Sequence, residues 1–268
     1  MPLPEAKIYP ELLRKQLNEL PYFRAFLRAI EARFYQGLEL AQPAFDLGAG
    51  DGHFAARTFQ QKLDVGFDPA MVSLEEAQSF GAYDLLVNGL GDHIPYAQGT
   101  FATVISNSVL EHIPDVDAVL REAYRILKPG GTLIITVPNS NFTRNLSIAR
   151  FLDRVGWKSA AQAYRVFFNK ISRHYHPDDA VQWHARLEGA GFVIKEKWNY
   201  FGPRLLQILE WGHYFGLPNW FHKKIFGRWI LFPNFWFVNR RYRWLYRYYC
   251  KDPVSADGAY TFFRAQKS

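Results

Sequence analysis

Apolar positions along this chain follow two periods. Between residues 10 and 36, Leu12, Leu13, Leu17 and Leu20, then Phe23, Leu27, Ile30 and Phe34, recur every three or four residues. That spacing predicts an amphipathic helical region interrupted at Pro21. Beyond residue 40 the pattern changes to short apolar runs, read as buried strands: Pro43 to Leu47, Leu63 to Asp68, Tyr83 to Asn88, a run ending near Asn107, and Thr132 to Pro138. A helix is expected between the last two. Asp115 is its N-cap; Val116, Val119, Leu120, Ala123, Ile126 and Leu127 are its apolar face; Lys128 suits its C-terminal end, and Pro129-Gly130-Gly131 stops it. Residues 144 to 172 read as helical, basic and aromatic. Phe192 to Tyr200 and Ala259 to Ala265 are expected as the last two strands, and strands alternating with helices predict an α/β sheet.

The first strand runs into Gly48-Ala49-Gly50-Asp51-Gly52, and a helix is expected from His53. A strand, a glycine turn and a helix start present bare backbone N–H groups to a ligand, with no Cβ in the way. A dinucleotide fingerprint would need a third glycine where His53 stands, so that reading fails at one residue. A glycine-rich turn in any α/β protein is the plain alternative. Asp68 ends the second strand sixteen residues after Gly52, where a carboxylate can accept from both ribose hydroxyls. Met71, just beyond, is either an apolar cover for an adenine face or ordinary core.

Two further stretches carry a resemblance: Leu110-Glu111-His112-Ile113 after the fourth strand, and Leu127-Lys128-Pro129-Gly130-Gly131 before the fifth. With the glycine turn and Asp68 they stand in the order seen in class I S-adenosylmethionine-dependent methyltransferases, and the chain resembles the type 11 methyltransferase domain group over about residues 40 to 140, more weakly to about 200. The resemblance implies an α/β, Rossmann-like fold with a seven-strand mixed sheet, helices on both faces and S-adenosylmethionine as cofactor. It implies cofactor contacts at Asp46, Gly48, Ala49, Gly50, Gly52, Asp68, Met71, Leu90, Gly91 and Asn107, with Gly48 to Gly50 toward the methionine end and Asp68 on the ribose. The chain departs from the group after the third strand: the aligned acidic position falls on Leu90, with Asp92 displaced by two, so backbone at Leu90 and Gly91 is left to read the adenine edge. The organisation expected is a helical lid over 1–40, a cofactor-binding core over 41–200, an insertion over 201–257 and a final strand over 258–268.

The insertion is the main departure, because the family pattern joins the last two strands as a hairpin. The chain carries +7 formal charge. Residues 201–257 hold nine Lys or Arg and three Asp or Glu, hence +6, and seventeen aromatic residues. Arg240, Arg243 and Arg247 share one helical stripe; Tyr242, Leu245, Tyr246 and Tyr249 share another. Three readings stand: a cap with an ordinary aromatic core, an element facing anionic membrane or a lipid-like acceptor, and a nucleic-acid surface, the last disfavoured. No leader and no run of about 18 uncharged residues is visible, so a cytoplasmic protein, peripheral at most, is expected. One cysteine, Cys250, allows no internal disulfide.

A sulfonium methyl needs alignment and exclusion of water, and a general base only if the acceptor must lose a proton. His112, in the loop after strand four, is the first candidate base; His174 and His176 follow by family analogy, Tyr175 and Asp178 behind them. No metal is expected, since no cysteine or tight histidine–carboxylate set supports one. The expected activity is methyl transfer to a small molecule. The rivals are a catalytically silent membrane-associated binding protein on the same fold and an NAD-dependent oxidoreductase.

Overall fold

The computed structural model describes residues 7–176 and 178–268. Two helices, α1 (Pro10–Glu19) and α2 (Tyr22–Tyr35), flank Pro21 and precede the sheet. The strands are β1 (Ala44–Leu47), β2 (Leu63–Asp68), β3 (Tyr83–Asn88), β4 (Phe101–Asn107), β5 (Leu127–Pro138), β6 (Phe192–Tyr200) and β7 (Tyr260–Lys267). They form one seven-stranded sheet in the order β3-β2-β1-β4-β5-β7-β6, with β7 antiparallel to both neighbours and the other pairings parallel. The chain leaves β1 for β2 on one side and later returns to place β4 on the other. A crevice therefore opens above the carboxyl ends of β1 and β4, the position where open α/β sheets bind ligands.

Helices α3 (His53–Thr58), α4 (Met71–Phe80) and α5 (Val116–Ile126) make the crossovers. The Asp115 carboxylate caps α5 by accepting from the Ala118 N–H at 3.0 Å. One expectation changes here: α5 ends at Ile126, and Leu127 through Gly131 already belong to β5, with a register irregularity opposite Phe101 to Thr103. The polar loop after β5 folds as α6 (Asn141–Arg144), α7 (Ser147–Arg154) and α8 (Lys158–Ile171); α9 (Ala180–Gly189) then opens on an Asp179 capping box.

Alternation along the strands divides the core. Phe45, Phe67, Val104, Ile135 and Phe263 face α5 and α9; Ala44, Ile105, Ile134 and Phe262 face α2 and the insertion. The insertion holds α10 (Pro203–Phe215), α11 (Leu217–Phe226) and α12 (Trp236–Tyr249). Leu206, Leu209, Val238, Leu245 and Tyr249 are buried, whereas Arg240, Arg243 and Arg247 are exposed, so the two stripes of α12 do face opposite ways. The insertion is also fastened to the first two helices. Arg33 of α2 donates to the Tyr249 carbonyl at 2.6 Å, the Tyr249 hydroxyl to the Tyr9 carbonyl at 3.1 Å, and Asn18 to the Asn234 side chain at 2.9 Å. Among the described residues, no helix is long and apolar enough to cross a membrane.

Gly212 marks the closest approach of α10 to α2: a Cβ there would lie 2.2 Å from the Phe23 Cβ. Gly212→Val is expected to destabilise the protein by about 1–3 kcal/mol in urea unfolding. Unchanged stability would show that the two helices are not packed in this way.

Candidate active site

The glycine turn and the tip of β2 lie side by side. The Gly48 and Ala49 N–H groups donate to the Phe67 carbonyl at 2.8 and 3.0 Å, and the Gly50 N–H donates to the Asp68 carboxylate at 2.9 Å. The other Asp68 oxygen accepts from the Ala70 N–H at 2.8 Å, at the entry to α4. Asp68 thus braces both walls of the crevice. The glycines serve different ends. At Gly48 (φ +85) a Cβ would lie 2.4 Å from Val109, so this residue lets β1 and the loop after β4 close on each other. At Gly50 (φ +55) no atom lies within 4 Å of the Cβ position, so the backbone is strained for any other residue and is open to a ligand. At Gly52 a Cβ would meet Ala77 at 2.8 Å, which makes it a packing glycine between α3 and α4 rather than a ligand contact.

A cavity of about 450 Å³ opens beside the turn, lined by Gly48, Asp68, Leu90, Gly91, Val109 and His112 among others. Leu90 is 63% exposed and free to cover a ring. Met71, also largely exposed, is not among the lining residues. Asp46 points into the protein, where it accepts from the Tyr83 hydroxyl at 2.6 Å; burial raises its pKa to about 7, against that hydrogen bond. Its side chain therefore ties β1 to Tyr83 of β3.

Asn107 is committed to a buried network that the sequence did not reveal. At its centre is Glu31, fully buried on α2. The Glu31 carboxylate accepts from Arg28 (2.8 Å), Asn107 (2.8 Å), Ser108 (3.0 Å) and Tyr200 (2.9 Å). Asn107 also accepts from Thr136 at 2.9 Å. Ser108 is held at φ 53, a left-handed conformation, by Glu31 on one side and Thr136 on the other. The signal missed was a carboxylate inside the apolar stripe Leu27–Ile30–Phe34. Glu111 is a second: it is 1% exposed, one of its oxygens has no partner among the described residues, and burial raises its pKa to about 8.

The three histidines separate. His112 lines the cavity; its Nδ1–H donates to the Arg173 carbonyl at 2.9 Å, leaving Nε2 as the acceptor nitrogen of the neutral ring. Burial lowers its pKa despite that carbonyl. His174 sits 5.5 Å from His112, ring to ring, and 4.8 Å from Phe142; burial lowers its pKa to about 3, so it is a neutral wall. His176 ties two loops and does not line the cavity. Its Nε2 is 2.8 Å from the Ile113 carbonyl, and its Nδ1 faces Arg186. Tyr175 is exposed, and Asp178 pairs with Arg186 at 2.6 Å. Among the described residues no group of three metal-ligating side chains occurs.

Glu19 clamps α1 to α3. It accepts from His53 at 2.7 Å and from two nitrogens of Arg57, both at 2.7 Å. His53, which breaks the dinucleotide pattern, therefore has a place in the fold. Although burial opposes it, these partners hold the Glu19 pKa down at about 2.

A family model described as a methyltransferase domain matches residues 19–197. The ubiquinone/menaquinone biosynthesis C-methyltransferase UbiE of Haemophilus ducreyi is 28% identical over 184 residues, spanning 62% of this chain and 68% of that protein. Among solved structures, an S-adenosylmethionine-dependent methyltransferase of Thermotoga maritima, described as a possible histamine N-methyltransferase, superposes with a TM-score of 0.56 at 18% identity, over 92% of this chain and 91% of that one. A geranyl diphosphate methyltransferase in complex with its substrate and sinefungin gives 0.53 at 14% identity, over 97% and 87%. At these identities the two structures speak for the fold.

The Glu19 clamp has a pH signature. Its folded pKa lies below its ordinary 4.5, so its contribution is full above pH 4.5 and is lost as pH falls toward about 2. Glu19→Gln should therefore lower stability in urea at pH 7 and differ progressively less from the parent below pH 4.5. An equal difference at pH 7 and at the acid end would remove the clamp.

Proposed function

This chain belongs to the methyltransferase domain family, and on that premise we infer that it moves the methyl of S-adenosylmethionine onto a hydrophobic small-molecule acceptor drawn from an anionic membrane surface. It is a class I S-adenosylmethionine-dependent methyltransferase. The observation that carries the inference is the cavity lined by Gly48 and Asp68 and by His112, beside the turn whose Gly50 backbone is held by the Asp68 carboxylate.

The residues fit the cofactor. Gly48 lines the cavity and Gly50 leaves the turn open beside it, Asp68 presents carboxylate oxygens to the ribose hydroxyls, and Leu90 and Gly91 form the adenine side. When bound, the cofactor supplies a methyl on a cationic sulfur, displaced in line by a nucleophilic atom of the acceptor. The protein aligns the two and keeps water out. His112 is the proton acceptor of this reading: its Nε2 lone pair takes the acceptor's proton as the new bond to carbon forms, while Arg173 fixes the tautomer.

An apolar acceptor is supported by the cavity lining itself, where Leu47, Phe67, Leu90, Val109, Ile113 and Val119 surround His112. It is supported too by the surface of the insertion. Phe221, Ile225 and Phe226 on α11 and Phe232, Phe235 and Trp236 after it are exposed, with Arg228, Arg240 and Arg243 exposed near them in sequence. Rings beside cations suit the headgroup region of an anionic bilayer. The UbiE relative is named for quinone biosynthesis, which agrees with such an acceptor.

Two measurements test this reading. With labelled S-adenosylmethionine and a lipid extract, His112→Asn should lower the rate by about 10²-fold or more. Because burial places the His112 pKa below 6.5, the parent's rate should hold through neutral pH and fall only on the acid side of 6.5; a variant as fast as the parent would exclude His112 as the base. In flotation, the parent should rise with vesicles containing phosphatidylglycerol, less so at high salt, and the triple substitution Phe232→Ser, Phe235→Ser, Trp236→Ser should abolish this. No flotation of the parent would leave the insertion as a plain cap.

A further inference from the structure

Arg28 keeps one edge of its guanidinium without a partner among the described residues, at the carboxyl end of β4. We propose that this edge binds a carboxylate, the α-carboxylate at the methionyl end of S-adenosylmethionine; the proposal rests on the cofactor reading above.

The local bonding leaves that edge available. Arg28 Nη1 donates to Glu31 at 2.8 Å and to the Asn107 carbonyl at 3.4 Å, which uses both of its hydrogens. Nε and Nη2 have no partner among the described residues, and the side chain is 18% exposed. Glu31 cannot serve them, because its oxygens are already taken by Arg28, Asn107, Ser108 and Tyr200. It acts instead as the orienter that fixes the plane of the guanidinium. The Phe54 ring lies 5.5 Å from the guanidinium carbon and supports it from a second side. The Nε/Nη2 pair is the planar fork that a carboxylate fills with two parallel hydrogen bonds. In a partly buried site such a charge-assisted pair is stronger than it would be in water.

Its place in the sheet selects the end of the cofactor. Along the carboxyl edge the order is β3, β2, β1, β4, so Leu90, Asp68, the glycine turn and Asn107 follow one another. Adjacent strands are about 4.8 Å apart, which puts Asp68 and Asn107 roughly 10 Å from each other across the turn. With adenine on the Leu90 side and ribose at Asp68, the remainder of the molecule extends over the turn toward β4, and Arg28 is fixed to the last carbonyl of β4.

Calorimetry with two ligands tests this. S-adenosylmethionine carries the carboxylate; 5′-methylthioadenosine has the same nucleoside and a methylated sulfur without the amino-acid end. Arg28→Gln should weaken binding of the first by about tenfold or more and leave the second within about twofold. Arg28→Lys, which keeps the charge and loses the fork, should recover only part of the affinity. Equal loss for both ligands, loss for neither, or full recovery with lysine would overturn the proposal. A parent protein that binds neither ligand would overturn the cofactor reading, and this proposal with it.

Discussion

The hydrogen bond from the Gly50 N–H to the Asp68 carboxylate, 2.9 Å long, is the contact on which the rest of the site depends. It holds the tip of β1 to the tip of β2 at the point where the sheet changes direction. Parallel pairing alone aligns the strands, with Phe45 opposite Val65 and Leu47 opposite Phe67, but leaves the turns beyond them undetermined. The carboxylate adds that determination, and its second oxygen does the same for the entry to α4. A turn set in this way is pre-organised: little ordering is left for a ligand to drive, so more of its contact energy appears as affinity.

Helix α2 is joined to the sheet by a polar centre and not only by apolar packing. Glu31 links α2 to β4 through Asn107, to the following loop through Ser108, and to β6 through Tyr200. A buried carboxylate is costly unless its hydrogen bonds are complete. Here they are, and the neighbouring guanidinium balances the charge. Such a network favours one position of the helix over others that would bury the same apolar area. Glu111, with an oxygen left unpartnered nearby, is the contrasting case, and burial holds it largely as the acid at neutral pH.

Local signals were the legible ones. Strand ends at Asp68 and Asn88 follow from the limits of short apolar runs, and the Asp115 cap and the glycine turn follow from residue type at fixed spacing. The seven-strand mixed sheet came with the family resemblance, and the order of its strands came with the structure. What stayed hidden was long-range partnership. Glu31 and Asn107 are 76 residues apart, and the ties of His176 to Ile113 and Arg186 show only in the fold. Gly52 was grouped with Gly48 and Gly50 by spacing, yet Ala77, which explains it, belongs to another helix. The insertion was legible in composition, because its charge and rings are concentrated. Which rings face inward depends on three helices whose mutual arrangement no periodicity encodes.

Asn234 lies between the exposed Phe232 and Phe235, and its backbone N–H and side chain both bond to Asn18 of α1. The same helix ends in Glu19, bound to the first helix after the glycine turn. The loop that carries those rings and the helix after the glycine turn are therefore tied to adjacent residues of one helix, Asn18 and Glu19. Thermodynamic linkage makes any coupling across that pair symmetrical: whatever factor a docked surface applies to donor affinity, a bound donor applies to docking.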